Sequence, residues 1–183
     1  QLDNLEGRYI DNAGFFSVTD PAAIPDDELY DLLMNEYPKW VKEAKVKGMH
    51  SIALTDRNVM YGVIPFYKAC KKQGIKPIIG LLADVLHGEE TFPILLLARN
   101  NKGYSNLLKI SSSIQTKTKE GIPLKWLKGY SEGLIGVSPG AEGIIEHSLA
   151  NEETEKAMEA IGMFQAIFGP ENFYMSLQVN GLV

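Results

Sequence analysis

The chain has 183 residues, 45% of them hydrophobic and 22% charged, with a formal net charge of −5. That balance suits one compact domain with a sizeable core and excludes the disordered class, and no apolar run approaches the ~20 residues of a membrane span. The opening residues, Gln1-Leu2-Asp3-Asn4-Leu5-Glu6, carry neither a basic flank nor an apolar stretch, and the single cysteine, Cys70, allows no internal disulfide, so a reducing cytoplasm is the expected compartment.

In chain order, residues 15–18 give the first strand pattern. Residues 28–34 and 38–47 have helical spacing; the second stretch puts Trp40, Val41 and Ala44 on one face, with Gly48 placed as its C-cap. Residues 51–80, SIALTDRNVMYGVIPFYKACKKQGIKPIIG, run through apolar strand, polar turn, amphipathic helix and buried strand, which is a βαβ unit. Its turn, Thr55-Asp56-Arg57-Asn58, falls at the C-terminal end of a parallel strand, where α/β folds place their chemistry. Residues 77–86 and 91–98 predict strands joined by a Gly-containing hairpin turn. Tyr104, Leu107, Leu108 and Ile114 make the expected buried stripe of the next helix, and residues 133–138 a strand. Asn151 is placed as the N-cap of a helix with Glu152, Glu153 and Glu155 at its start and Ala157, Ile161, Phe164 and Phe168 as its apolar stripe. Gly169-Pro170 stops that helix, and residues 173–178 form the last predicted strand. Strands alternating with helices predict a barrel-like α/β fold.

The titratable residues form no independent site. His50 precedes a strand, His87 lies in a turn and His147 sits on a short helix; no two share a spacing suited to a metal, and solvation at the surface is the reading for each. Cys70 follows Phe66 and Tyr67 by one turn without a local base, which describes a buried, inert thiol. Charge is uneven: residues 37–130 hold 16 of the 18 Lys and Arg against 6 acids, while the flanks hold 2 basic and 17 acidic residues. Lys39, Lys42, Lys45 and Lys47, then Lys68, Lys71, Lys72 and Lys76, lie on the polar faces of two helices. A solvated face accounts for them. A weak DNA track through Lys39, Lys42, Lys45, Lys68, Lys71 and Lys72 is the alternative, disfavoured because aromatic residues do not interleave with these lysines as stacking partners.

Several segments in order carry a family likeness. LTDRNVMYGVIPFYKACKKQGIKPIIG resembles the PHP (polymerase and histidinol phosphatase) domain at the front of bacterial DNA polymerase III alpha subunits, where a strand ends in a Thr-Asp-His-Gly or similar turn. Leu95-Leu96-Leu97-Ala98-Arg99-Asn100 with Gly103-Tyr104-Ser105-Asn106-Leu107 is similar to the family's leucine-rich strand followed by Asn and Gly-Tyr-x-Asn-Leu. Tyr130-Ser131-Glu132-Gly133-Leu134-Ile135, then Phe168-Gly169, Asn172-Phe173-Tyr174 and Leu177-Gln178, match later segments. About residues 30–181 are covered. The resemblance implies the distorted seven-stranded βα barrel of PHP type, incomplete in this chain, with residues 1–29 an atypical N-terminal segment and 30–183 the PHP-like domain.

Active members of that superfamily resemble one another in a cluster of metal ions held by His, Asp, Glu and Cys at strand ends. Matched position by position, Asp56 remains, but Arg57 stands where an imidazole would be. Leu82 stands at a glutamate, Pro93 at a histidine, Gly140 at a cysteine, and Ser176 and Asn180 at a later Glu and His; no histidine precedes His50 to form the opening His-x-His. The expectation is therefore no catalytic residue, no metal and no cofactor. The resemblance implies a non-catalytic part of a DNA-directed DNA polymerase, a nucleotidyltransferase of DNA replication. Its implied partners are the remainder of the polymerase polypeptide, DNA weakly, and other replisome subunits, with no membrane. An active metal-dependent phosphoesterase or proofreading nuclease, and a free-standing interaction module, are the alternatives. The family domain continues past the last predicted strand, so the chain is expected to be a piece of a longer polypeptide, with an open sheet edge that promotes self-association.

Overall fold

The computed structural model describes residues 8–10, 15–18 and 26–177, with side chains from residue 35 onward. Contacts divide the chain into two units, Gln1–Leu81 and Leu82–Val183. Both are mixed α/β.

In the first unit, β1 (Arg8–Ile10) runs antiparallel to β2 (Phe15–Val18), and β2 lies parallel to β3 (Ser51–Leu54). β3 is parallel in turn to the start of β4 (Lys76–His87), in register from Ser51↔Lys76 to Leu54↔Ile79. This is the βαβ unit expected from the 51–80 pattern, with α2 (Val63–Gln73) as its crossover. Residues 28–34 and 38–47 belong to one helix, α1 (Asp26–Val46), rather than two. Pro38 lacks an N–H and crowds the carbonyl four residues earlier, at a cost of ~3 kcal/mol, which is why the pattern looks broken there. Burial of Tyr37 and Val41, each 0% exposed, offsets that cost: each contributes ~1.5–3 kcal/mol. Tyr37 meets Trp40 and, across on α2, Phe66 edge-to-face, with ring centroids 5.3 and 5.7 Å apart. Gly48 caps α1 as expected, at φ 78°; its N–H donates to Lys45 O at 3.0 Å and that of Met49 to Ala44 O at 3.0 Å.

In the second unit, the rest of β4 leads through Gly88 (φ 64°) into β5 (Glu90–Ala98). β5 pairs antiparallel with β7 (Leu134–Val137), and β7 parallel with β8 (Phe173–Tyr174). β6 (Ile122–Pro123) pairs parallel with β4 through Val85↔Ile122. α3 (Asn101–Ser113) runs into a π-helical turn, Ile114–Thr118; α4 (Leu124–Gly129), α5 (Ile144–Ala150) and α6 (Thr154–Phe168) follow. Phe92, Phe164, Phe168 and Phe173 form an aromatic core, Phe164 and Phe173 with ring centroids 5.1 Å apart.

Four expectations change here. Leu108 is 44% exposed, and Ile110 takes its place in the core beside Leu107 and Ile114, because the helix turns its 107/110/114 stripe inward and Tyr104 stays half-buried. Asn151 does not start α6. It closes α5: its Nδ2 donates to His147 O at 3.0 Å, satisfying a carbonyl the helix end leaves open, and Glu153 is the residue before α6. β8 covers only Phe173–Tyr174 of the expected 173–178, and residue 178 lies outside the described residues. α4 and β6 were not expected, since six and two residues are too short to show a period.

Candidate functional site

At the C-terminal end of β3, Thr55 and Asp56 are each 4% exposed, and Arg57 and Asn58 are half-buried. None of the four is without an interaction partner. Asn58 adopts φ 60°, a left-handed conformation that asparagine tolerates better than most residues. The turn therefore presents one buried carboxylate beside a guanidinium that carries a permanent positive charge. A guanidinium has five donors and no acceptor, so it cannot ligate a cation.

The other positions matched by resemblance to the family's ligands fall in the second unit. Leu82 is half-buried on β4 and Pro93 is buried on β5, and neither side chain offers a donor atom. Gly140 is buried in the loop after β7 at φ 86°, a conformation that favours glycine over a side chain. Ser176 follows β8; its backbone N–H donates to Ser138 Oγ at 3.0 Å, Ser138 N–H donates to Tyr174 O at 3.0 Å, and the Ser138 hydroxyl hydrogen-bonds Glu146 in the first turn of α5. Gly143 leaves room for that carboxylate, because an added Cβ would stand 2.6 Å from Glu146 Oε2. This is a polar knot tying the chain after β8 to the loop after β7. Asn180 lies outside the described residues. Among the described residues no three His, Cys, Asp or Glu side chains gather to hold a metal ion, and the side chains at these positions do not fit a metal cluster.

Two of the segments that carry the family likeness, residues 95–107 and 130–135, meet physically in the second unit. Asn100 caps α3, its side chain accepting from Gly103 N–H at 3.0 Å. Gly103 lies against the backbone of Gly133, where a Cβ would stand 2.7 Å from the Gly133 carbonyl carbon. Arg99 N–H donates to Gly133 O at 2.9 Å, and Asn106 Nδ2 to Glu132 O at 2.9 Å. The Asn, the two glycines and the second Asn thus lock α3 to the turn before β7. Their chemistry is packing.

His50, His87 and His147 are exposed, as expected. Cys70 is buried, and desolvation pushes its thiol up to about 11 from 9.0. Lys39, Lys42, Lys45, Lys68, Lys71 and Lys72 are exposed. Some are committed locally: Lys39 pairs with Glu36 at 2.7 Å, and Lys45 Nζ donates to Gln73 O at 2.7 Å. The reading that aromatics avoid these lysines is corrected at one place, where Lys71 Nζ lies 5.7 Å from the Tyr67 ring centre. A one-turn spacing, 67 to 71, carried that signal. A cleft of about 1050 Å³ in the second unit is lined by Glu90, Glu152, Glu153, Glu155 and Glu159 beside Lys156. Lys156 donates to Glu90 at 2.6 Å, which holds its ammonium above the usual lysine range. Ser138 and Glu146 were missed by sequence reasoning, their only signal being a carboxylate placed three residues after a glycine at a helix start.

The PHP domain family model matches residues 34–180. A model for the vWA domain found in the TerF C terminus matches residues 1–50. Among curated relatives, DNA polymerase III subunit alpha of Bacillus subtilis (strain 168) is 52% identical over 141 residues, covering 75% of this chain and 13% of that protein. The subunit of the same name from Halalkalibacterium halodurans is 40% identical over 154 residues, covering 81% and 14%. The chain thus spans about one seventh or less of the length of these relatives. Among solved structures, an amidohydrolase from Chromobacterium violaceum aligns with 21% identity and a TM-score of 0.35 over 49% of this chain and 29% of its own. With the family match running unbroken from before β3 to beyond β8, the chain belongs to the PHP domain family.

Proposed function

We propose that this chain serves as the PHP domain of a bacterial DNA polymerase III alpha subunit, a non-catalytic part of a DNA-directed DNA polymerase in the cytoplasmic replication machinery. The 52% identity to the Bacillus subtilis subunit is the observation that carries the reading. Its partner is then the remainder of the polymerase polypeptide, and its work is structural support and docking. Residues 30–183 are the PHP part and 1–29 an addition to it; the complete architecture is the distorted seven-stranded βα barrel, which the parallel β2–β3–β4 arrangement supports.

Lack of catalysis follows from donor chemistry. A multinuclear site needs its full ligand set for affinity and geometry, and Arg57, Leu82, Pro93 and Gly140 supply none of it. The lysines of α1 and α2 act as a weak, salt-sensitive DNA contact in which Lys42, Lys68 and Lys72 carry most of the charge. The test is turnover: purified chain, supplied with Mn²⁺ or Zn²⁺, is assayed on a chromogenic phosphoester and on the 3′ end of single-stranded DNA. No hydrolysis above the metal-only blank is expected. Hydrolysis that chelator abolishes would return the phosphoesterase or nuclease reading.

A further inference from the structure

The lysines of residues 101–130 differ from those of α1 and α2. Lys102, Lys109, Lys117, Lys119, Lys125 and Lys128 are all exposed, and Glu120 is the only acid in that stretch. Lys102 pairs with Glu132 at 3.4 Å; among the described residues none of the other five has a carboxylate partner. Five like charges close along the chain repel one another, and packing gives no reason to collect them.

Two aromatic side chains lie among these lysines. Trp126 and Tyr130 stand one turn apart, Tyr130 N–H donating to Trp126 O at 3.0 Å, so they share a face at the end of α4. Lys117 Nζ sits 5.6 Å from the Trp126 ring centre and Lys109 Nζ 5.9 Å from that of Tyr130. α3, the π-turn and α4 therefore bring ammonium groups and ring faces together. Leu127 alone, 0% exposed, anchors α4 in the core, while Trp126 keeps 37% of its surface open. The backbone here is unusual too. The π-turn Ile114–Thr118 ends at Lys119 with φ 61° and ψ −30°, a conformation that residues with side chains seldom adopt. Strain retained at a basic, aromatic surface points to use.

We propose that the face formed by α3, the π-turn and α4 binds single-stranded nucleic acid, with Lys109, Lys117, Lys125 and Lys128 following the phosphates and Trp126 as a stacking platform for a base. The lysines ask for a polyanion. The open indole separates the candidates: a duplex keeps its bases stacked internally, and an acidic protein would neutralise the lysines without using a flat ring, whereas every unpaired base offers a π-face. This holds whatever polypeptide the chain comes from.

The test uses the 183-residue chain and an oligo-dT of about twenty nucleotides at low salt. Binding should quench tryptophan emission, and Trp126→Phe should remove the quench, because Trp40 is only 9% exposed. Trp126→Ala should weaken binding about tenfold. The double variant Lys117→Ala/Lys125→Ala should weaken it similarly and make the salt slope shallower by ~1.4, at ~0.7 per lost phosphate contact. Lys47→Ala/Lys76→Ala, at exposed lysines outside both proposed contacts, should leave affinity and quench intact. Circular dichroism confirms that each variant is folded. Unchanged affinity in the Lys117/Lys125 variant would overturn the proposal. So would duplex or polyglutamate binding as tightly as oligo-dT, with Trp126 emission unaffected.

Discussion

Replacing Gly103 by alanine tests whether the residues shared with the family are structural. The new methyl would stand 2.7 Å from the Gly133 carbonyl carbon and nearer still to its oxygen, against 3.4 Å for ordinary contact, so the two backbones must part by roughly 1 Å or more. Gly133 cannot easily yield: it is held at φ 77°, its carbonyl accepts from Arg99 N–H at 2.9 Å, and its own added Cβ position is closed off by Asn100. Overpacking of this kind costs ~1–3 kcal/mol or more, and stretching the Asn106 to Glu132 bond adds ~0.5–1.5 kcal/mol. Better helix propensity returns at most ~1 kcal/mol. A net loss of ~2–3 kcal/mol lowers Tm by about 5–10 °C for a chain of this size. Gly162→Ala is the paired control, in α6 with nothing within 4 Å of the added methyl, and should be neutral or stabilising by up to ~1 kcal/mol. Thermal melts followed by circular dichroism read both. A Gly103→Ala protein melting with or above the unmodified chain would refute the packing argument.

Three further outcomes are expected. Arg57→Ala should lose ~1–3 kcal/mol, because it strips a half-buried cation from the turn holding buried Asp56; an unchanged denaturant midpoint would mean Arg57 is only a solvated side chain. Ser138→Ala should cost ~1–3 kcal/mol by orphaning Glu146 and Ser176 N–H together, and should raise hydrogen exchange at Ser176 before the rest of the second unit. Cys70 should resist alkylation at pH 8 until the chain unfolds. With the thiol raised to about 11 in the folded chain, its contribution to stability is complete below about pH 9 and is lost as pH climbs through 11; a melting temperature flat across that window would contradict the burial effect.

How far the residues announced this structure depends on the range of the interaction. The βαβ unit, the Gly48 cap, the buried Cys70 and the α6 stripe of Ala157, Phe164 and Phe168 were legible because each is written in a local period, although Ile161 of that expected stripe stays half-buried and Ala160 is buried instead. Pro38 misled because its local penalty is outweighed by tertiary burial of Tyr37 and Val41. Asn151 misled because a capping residue between two adjacent helices serves either one, and the short helix read at His147 carries no end signal of its own in the sequence. That Arg57, Leu82, Pro93 and Gly140 carry no ligating side-chain atom could be read directly, since side-chain chemistry is explicit in sequence. The Ser138, Glu146 and Ser176 knot joins residues 38 apart through a loop, and the meeting of Lys117 with Trp126 needs the fold of the π-turn; neither has a periodic trace.

Metal content bears most directly on the central claim that this PHP domain has given up its metal-dependent chemistry. Elemental analysis of the purified chain, after exposure to zinc, manganese and iron followed by dialysis against chelator, should find far less than one metal per chain, because no three ligating side chains converge among the described residues. One or more equivalents of a transition metal, retained with phosphoesterase turnover, would contradict it.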